Sequence, residues 1–199
     1  RQIKTDTYSI YEAEFKSILH QEEISVVHFS HCAVMKHRVP FPIDLEHALE
    51  NPKETRSCCA IFPNYKMTLP GSVGIIYEPS LSDVLSVFNS DSGSSDHDGI
   101  EGSFGEKPTK ATVKNSLKIR NQKYNEWRVI ASNPVGVFIH DTQRIMAKQN
   151  IVYNVGGSEY SEIVESKIEI NTVFRAFPKL PVYTMGAKGL EQVHQEKVI

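Results

Sequence analysis

The chain has 199 residues, of which 40% are hydrophobic and 23% charged, with a net charge of −2. That is enough apolar material for one packed domain, and so small a charge excludes a strong global pull toward nucleic acid or anionic membrane. No run of about 18 apolar residues occurs, so a soluble chain without a membrane-spanning helix is expected.

The sequence opens at Arg1 rather than at methionine. It reads as a trimmed product, and a missing leader carries no weight. Tyr11, Phe15, Ile18 and Leu19 recur at helical spacing and predict an amphipathic helix over 8–21, with Ser9 and Glu12 as a capping box. The β-branched and aromatic run over 24–30 predicts a buried strand. A short helix is expected after Pro42, with Leu45, Ala48 and Leu49 turned inward. Strands are expected over 57–62 and 71–77, the second closed by Pro79, while 83–88 fits strand or helix equally well. Cys32, Cys58 and Cys59 are an odd count containing an adjacent pair. They read as reduced, partly buried thiols rather than a disulfide framework, which places the working environment in a cytoplasm, the cell's own or a host's.

Residues 89–106 are rich in Ser, Gly and Asp and hold no Lys or Arg. They predict a long acidic surface loop, a feature uncommon in a compact domain without a purpose. Past this segment the charge reverses. Lys107, Lys110, Lys114, Lys118, Arg120, Lys123 and Arg128 face a single acid, Glu126, and Lys110, Lys114 and Lys118 would share one helix face. Strands are predicted over 127–131 and 135–140, separated by Asn133-Pro134. A helix at about 142–149, a turn at Gly156-Gly157, a second helix at about 159–170 and a strand at 182–185 follow. The tail after Gly189 is expected to be a short helix or disordered. Strands and helices do not alternate as βαβ units, so the prediction is a single α+β domain over 1–199 with a mixed, mostly antiparallel sheet flanked by helices.

The phosphate loop, G-x-G-x-x-G, H-E-x-x-H, G-x-S-x-G and paired C-x-x-C signatures are all missing. His28, His31, Cys32 and His37 are close enough in sequence to raise a zinc site, but a strand over 24–30 would send His28 and His31 to opposite faces. Asp91, Asp96 and Asp98 lack the spacing of a calcium loop. The basic run over 107–128 offers contacts to phosphate. The remaining cluster is Asn125-Glu126-Trp127-Arg128, where a basic stretch gives way to an apolar strand. A carboxylate there is placed to polarise a hydroxyl or to stabilise a cation, and Trp127, the one tryptophan, adjoins it as an expected optical reporter.

Taken in order, the His28 strand (Val26-Val27-His28-Phe29-Ser30), Arg56-Ser57-Cys58-Cys59 or Tyr77, and Glu126 resemble the strand motifs of the ADP-ribosyltransferase fold. That family of toxins and modifying enzymes splits NAD. The resemblance covers roughly residues 24–140 and implies an ADP-ribosyltransferase-like fold and a bacterial toxin or effector domain that modifies a macromolecular acceptor, protein or nucleic acid. It implies NAD as substrate and His28 and Glu126 as catalytic residues. His28 would bond the nicotinamide ribose, and Ser57 or Tyr77 would position the nicotinamide end. Arg56 or Arg128 would face the pyrophosphate. Glu126 would hold the ribose 2′-hydroxyl and stabilise the charge that develops as nicotinamide leaves, with the 89–106 loop meeting the acceptor. Two departures stand out. Cys58 and Cys59 replace two members of a Ser-Thr-Ser segment, and Tyr124 and Asn125 precede Glu126 where arginine-modifying members carry a second glutamate, which argues against arginine as acceptor. Two other readings stay open. One is an interaction module that uses the acidic loop and the basic helix. The other is a metal-dependent nuclease that gathers Asp83, Asp91, Asp98 and Glu126.

Overall fold

A computed structural model describes residues 10–31, 39–89, 108–118 and 123–196. The first helix, α1 (Glu12–Gln21), buries Phe15 and Ile18. It begins at Glu12 rather than at residue 8: Tyr11 is the N-cap and has no side-chain cap bond, and Ser9 lies outside the described residues. Then come β1 (Ser25–Phe29), α2 (Ile43–Glu50) with Leu45 and Ala48 buried, β2 (Thr55–Ile61) and β3 (Val73–Tyr77). A capping box from Ser80 to Asp83 winds one 3₁₀ turn over Leu81–Asp83, and the chain continues as β4 (Val84–Phe88). This decides the 83–88 segment in favour of strand. The expected acidic loop lies outside the described residues, except for Asn89.

Next is α3 (Lys110–Ser116), whose first turn is capped by Thr109 accepting from the Thr112 N–H. The helix ends before Lys118, although Lys110, Lys114 and Lys118 are all exposed. β5 (Glu126–Ile130) and β6 (Pro134–Ile139) follow. The two helices expected at 142–149 and 159–170 are instead strands, β7 (Ile145–Val155) and β8 (Ser158–Ile168), joined as a hairpin. Gly156 and Gly157 carry φ of 59° and 84°. Two positive φ values in a two-residue connection make the turn whose twist matches flanking antiparallel strands, and this local signal overrides a weak helical spacing. α4 (Ile170–Ala176) and β9 (Val182–Gly186) lead to β10 (Gly189–Val193). From Gly189 to Val193 the tail therefore continues the sheet as a strand and is neither helical nor irregular.

The main sheet has the order β10-β9-β6-β3-β1-β2-β5-β4. All its neighbours are antiparallel apart from β6 and β9, so the α+β expectation with a mostly antiparallel sheet holds. Alternation along the strands gives the sheet two faces. One carries Val26, Cys58, Ile75, Tyr77, Trp127, Val129 and Val137 against residues of all four helices, including Phe15, Leu45, Val113 and Val173. The other carries Val27, Phe29, Cys59, Ile61, Ile76 and Phe138, packed with Met67, Tyr65 and Leu69 from the connection between β2 and β3. Gly74 is required where β3 meets β1: a Cβ there would lie 2.6 Å from the His28 carbonyl oxygen. No helix among the described residues is long and apolar enough to cross a membrane.

Candidate functional site

The ladder between β1 and β2 runs through Val27 opposite Cys59 and then stops. At this point His28 bridges the parting strands with its ring: Nδ1 lies 2.8 Å from the Ser57 carbonyl oxygen. A carbonyl only accepts, so Nδ1 carries the proton and Nε2 keeps its lone pair. On the far side of β2, the Ser57 hydroxyl donates to Glu126 Oε1 over 2.7 Å. One residue thus ties His28 on β1 to Glu126 on β5 across three adjacent strands. All three residues are candidates from the sequence, but strand order is what joins them.

Period-two alternation on β5 explains the placement. Trp127 and Val129 enter the helical core, which sends Glu126 and Arg128 to the opposite face. There Ser57 stands directly opposite Arg128 from β2, and Ser86 stands opposite it from β4. Glu126 and Arg128 are both buried, and the Ser86 hydroxyl is buried with no hydrogen-bond partner among the described residues. Polar groups replace the apolar packing of this face over the β2-β5-β4 end of the sheet. Phe15 packs on Trp127 with ring centroids 6.3 Å apart, and the Trp127 indole N–H donates to Ser116 Oγ over 3.0 Å. The indole is therefore turned away from Glu126, contrary to the use expected of it as a direct reporter.

Arg56 and Tyr77 lie on the helical side of the sheet. Arg56 stands opposite Val129 and pairs with Glu54 at 2.7 Å. Tyr77 stands opposite Val26, and its buried hydroxyl meets no hydrogen-bond partner among the described residues. Burial pushes the Tyr77 hydroxyl and the Cys58 thiol far above their ordinary ranges, so both stay protonated. Burial likewise lowers the His28 pKa to about 4, against the smaller opposing effect of its bond to Ser57, with His31 and Arg56 adding to the fall. His28 is accordingly neutral at physiological pH and presents an acceptor at Nε2.

The sequence assigns Asn125 no role beyond its place in the motif. It is fully buried and holds the strand that carries Glu126. Its amide nitrogen donates to the carbonyls of Ala60 (2.9 Å) and Ser116 (3.1 Å), and its oxygen accepts from the Ala60 N–H (2.7 Å). Beyond the end of β1 a depression of about 430 Å³ is lined in part by Ser30, His31, Ser72, His140, Lys148 and Glu165, within the range of small-molecule sites. His28 and His31 do not diverge as a continuous strand would force, because β1 ends at Phe29. Their rings are 6.3 Å apart, edge to face. Cys32 and His37 lie outside the described residues, and among those described no three His, Cys, Asp or Glu side chains group to hold a metal ion. Cys58 and Cys59 are buried cysteines outside any disulfide among the described residues.

No family model, curated protein or solved structure matches this chain.

Proposed function

We propose that the chain is an NAD-dependent ADP-ribosyltransferase domain of toxin or effector type, with an ADP-ribosyltransferase-like fold and a macromolecular acceptor. The observation that carries this reading is the connection of neutral His28, Ser57 and buried Glu126 through one residue, at the place where β1 and β2 part. A ribose needs hydrogen-bond acceptors for its hydroxyls and a fixed negative charge nearby as its own positive charge grows. The Glu126 carboxylate supplies these, with the Ser57 hydroxyl holding it in place, and His28, on the opposite face of the sheet, fixes Ser57 from its carbonyl side. In the reaction, the bond from ribose C1′ to the nicotinamide nitrogen breaks and its electron pair leaves with nicotinamide. The acceptor's lone pair forms the new bond to C1′ and the acceptor gives up its proton. Arg128, opposite Ser57 on the Glu126 face, is the cation this reading gives to the pyrophosphate, because Arg56 lies on the other face and pairs with Glu54. The depression past β1 has polar side chains and space for part of a dinucleotide, but none of His28, Ser57, Glu126 and Arg128 lines it.

Calorimetric titration with NAD tests the reading. Saturable binding is expected, weakened about tenfold in Ser57→Ala, which removes the hydrogen bond that holds the Glu126 carboxylate, or about 1.4 kcal/mol. Absence of binding at millimolar NAD would sink it and return the chain to the interaction-module reading, for which exposed Lys110, Lys114 and Lys118 are the residues to reverse in charge.

A further inference from the structure

The hairpin of β7 and β8 is an unbroken ladder, from Ile145 opposite Ile168 to Val155 opposite Ser158. Its base is built into the core through Ile145, Ala147 and Ile168, whereas residues 150–162 are all exposed. In an antiparallel pair every second residue turns its N–H and C=O away from its partner. On β7 this outward set can be assigned from the base. The Lys148 carbonyl accepts from the Phe41 N–H over 2.8 Å, and the Met146 N–H donates to Ser72 Oγ over 3.2 Å. The outward set therefore continues at Asn150, Val152 and Asn154, all three exposed among the described residues.

Free edges in natural sheets are guarded by charge, proline or bulges. From Gln149 to Val155 the outer edge of β7 has none of these, while β8 carries Glu159, Glu162 and Glu165. The unguarded edge is also self-complementary. Asn150-Ile151-Val152-Tyr153-Asn154 is nearly symmetric about Val152, with amides at both ends and large apolar residues between. Ile151, Tyr153, Val155 and Tyr160 are 45%, 40%, 57% and 51% exposed, and Tyr153 stacks on Tyr160 at 6.0 Å.

We propose that the outer edge of β7 pairs antiparallel with the same edge of a second copy of this chain, about a two-fold axis through Val152. Val152 faces Val152 of the other copy, and each Asn150 faces an Asn154. Two backbone hydrogen bonds form at each of these three facing pairs, and Ile151 packs beside Tyr153 across the axis. An isologous contact of this kind closes as a dimer and merges two marginal ribbons into one four-stranded sheet. Pairing through β8 instead would bring its glutamates together.

The test uses the intact chain, in sedimentation equilibrium up to a concentration on the order of 100 μM, well above a micromolar dissociation constant. Val152 and Ser161 are partners in one ladder pair with their backbone groups turned to opposite edges, so proline at either position spares the hairpin bonds and blocks one edge only. A dimer is expected for the wild type and for Ser161→Pro, and a monomer with an unchanged circular dichroism spectrum for Val152→Pro. If Val152→Pro loses that spectrum, Ile151→Lys combined with Tyr153→Lys gives the same reading from two exposed side chains. A monomeric wild type, a dimer that survives both β7 variants, or loss of the dimer in Ser161→Pro overturns the proposal.

Discussion

Asn125 satisfies three backbone groups from a fully buried position, just before the residue on which the proposed chemistry depends. Asn125→Ala leaves the N–H and C=O of Ala60 and the C=O of Ser116 without this partner in the interior. The expected cost is about 2–4 kcal/mol, read as a lower midpoint in urea unfolding. His28 makes a second residue-scale prediction. Its pKa lies at about 4 in the fold against an ordinary 6.5, so between these values the unfolded chain binds a proton that the folded chain does not. Stability is then fully present above pH 6.5, is lost as pH falls, and bottoms out below pH 4, by at most about 3 kcal/mol. A His28→Gln variant is expected to flatten that part of the stability profile; an unchanged acid slope would show that His28 is not its source. Glu126 could be picked out in the sequence because a carboxylate stands where a basic stretch gives way to an apolar strand, and His28 because its strand resembles a family motif. Asn125 could not, since a side chain that bonds to Ala60 and Ser116 depends on contacts that no local periodicity records.

Elements whose apolar positions repeat cleanly, such as α2, β1, β3 and β6, lie close to where their spacing places them. The misreading at 142–170 has a definite cause. The distal arm is two-sided and exposed, so β7 and β8 lack the strict alternation that burial imposes on one face, and their identity rests on Gly156-Gly157 and on β-branched content. Replacing both glycines by valine forces a Cβ into the left-handed region, at a cost of about 1–2 kcal/mol for each residue. Hydrogen exchange is expected to quicken in the outer hairpin and to stay unchanged in β1, β2 and β5, where the core is anchored elsewhere. Equal quickening in the central strands would mean that the arm and the sheet unfold together.

At the scale of the molecule, the α+β class follows from the absence of βαβ alternation, but strand order does not follow from the sequence. Placing β1, β2 and β5 side by side requires β2 to receive a strand from 65 residues further along, as the Asn125 bond to Ala60 does. That long-range pairing turns scattered polar residues into a connected set with Ser57 at its centre. It also explains why the six candidate residues divide between two faces: Arg56 and Tyr77 lie with His28 on the helical side, and Arg128 lies with Glu126 and the Ser57 hydroxyl on the other.

Release of nicotinamide from NAD, followed chromatographically for the wild type and for a Glu126→Gln variant shown by circular dichroism to be folded, tests the central claim most directly. Buried Trp127 does not need to serve as the reporter. If Glu126 stabilises the charge that grows on the ribose as nicotinamide leaves, the wild type releases nicotinamide and the variant is slower by about 100-fold or more. Equal release by the two proteins, or none by the wild type, would contradict the assignment.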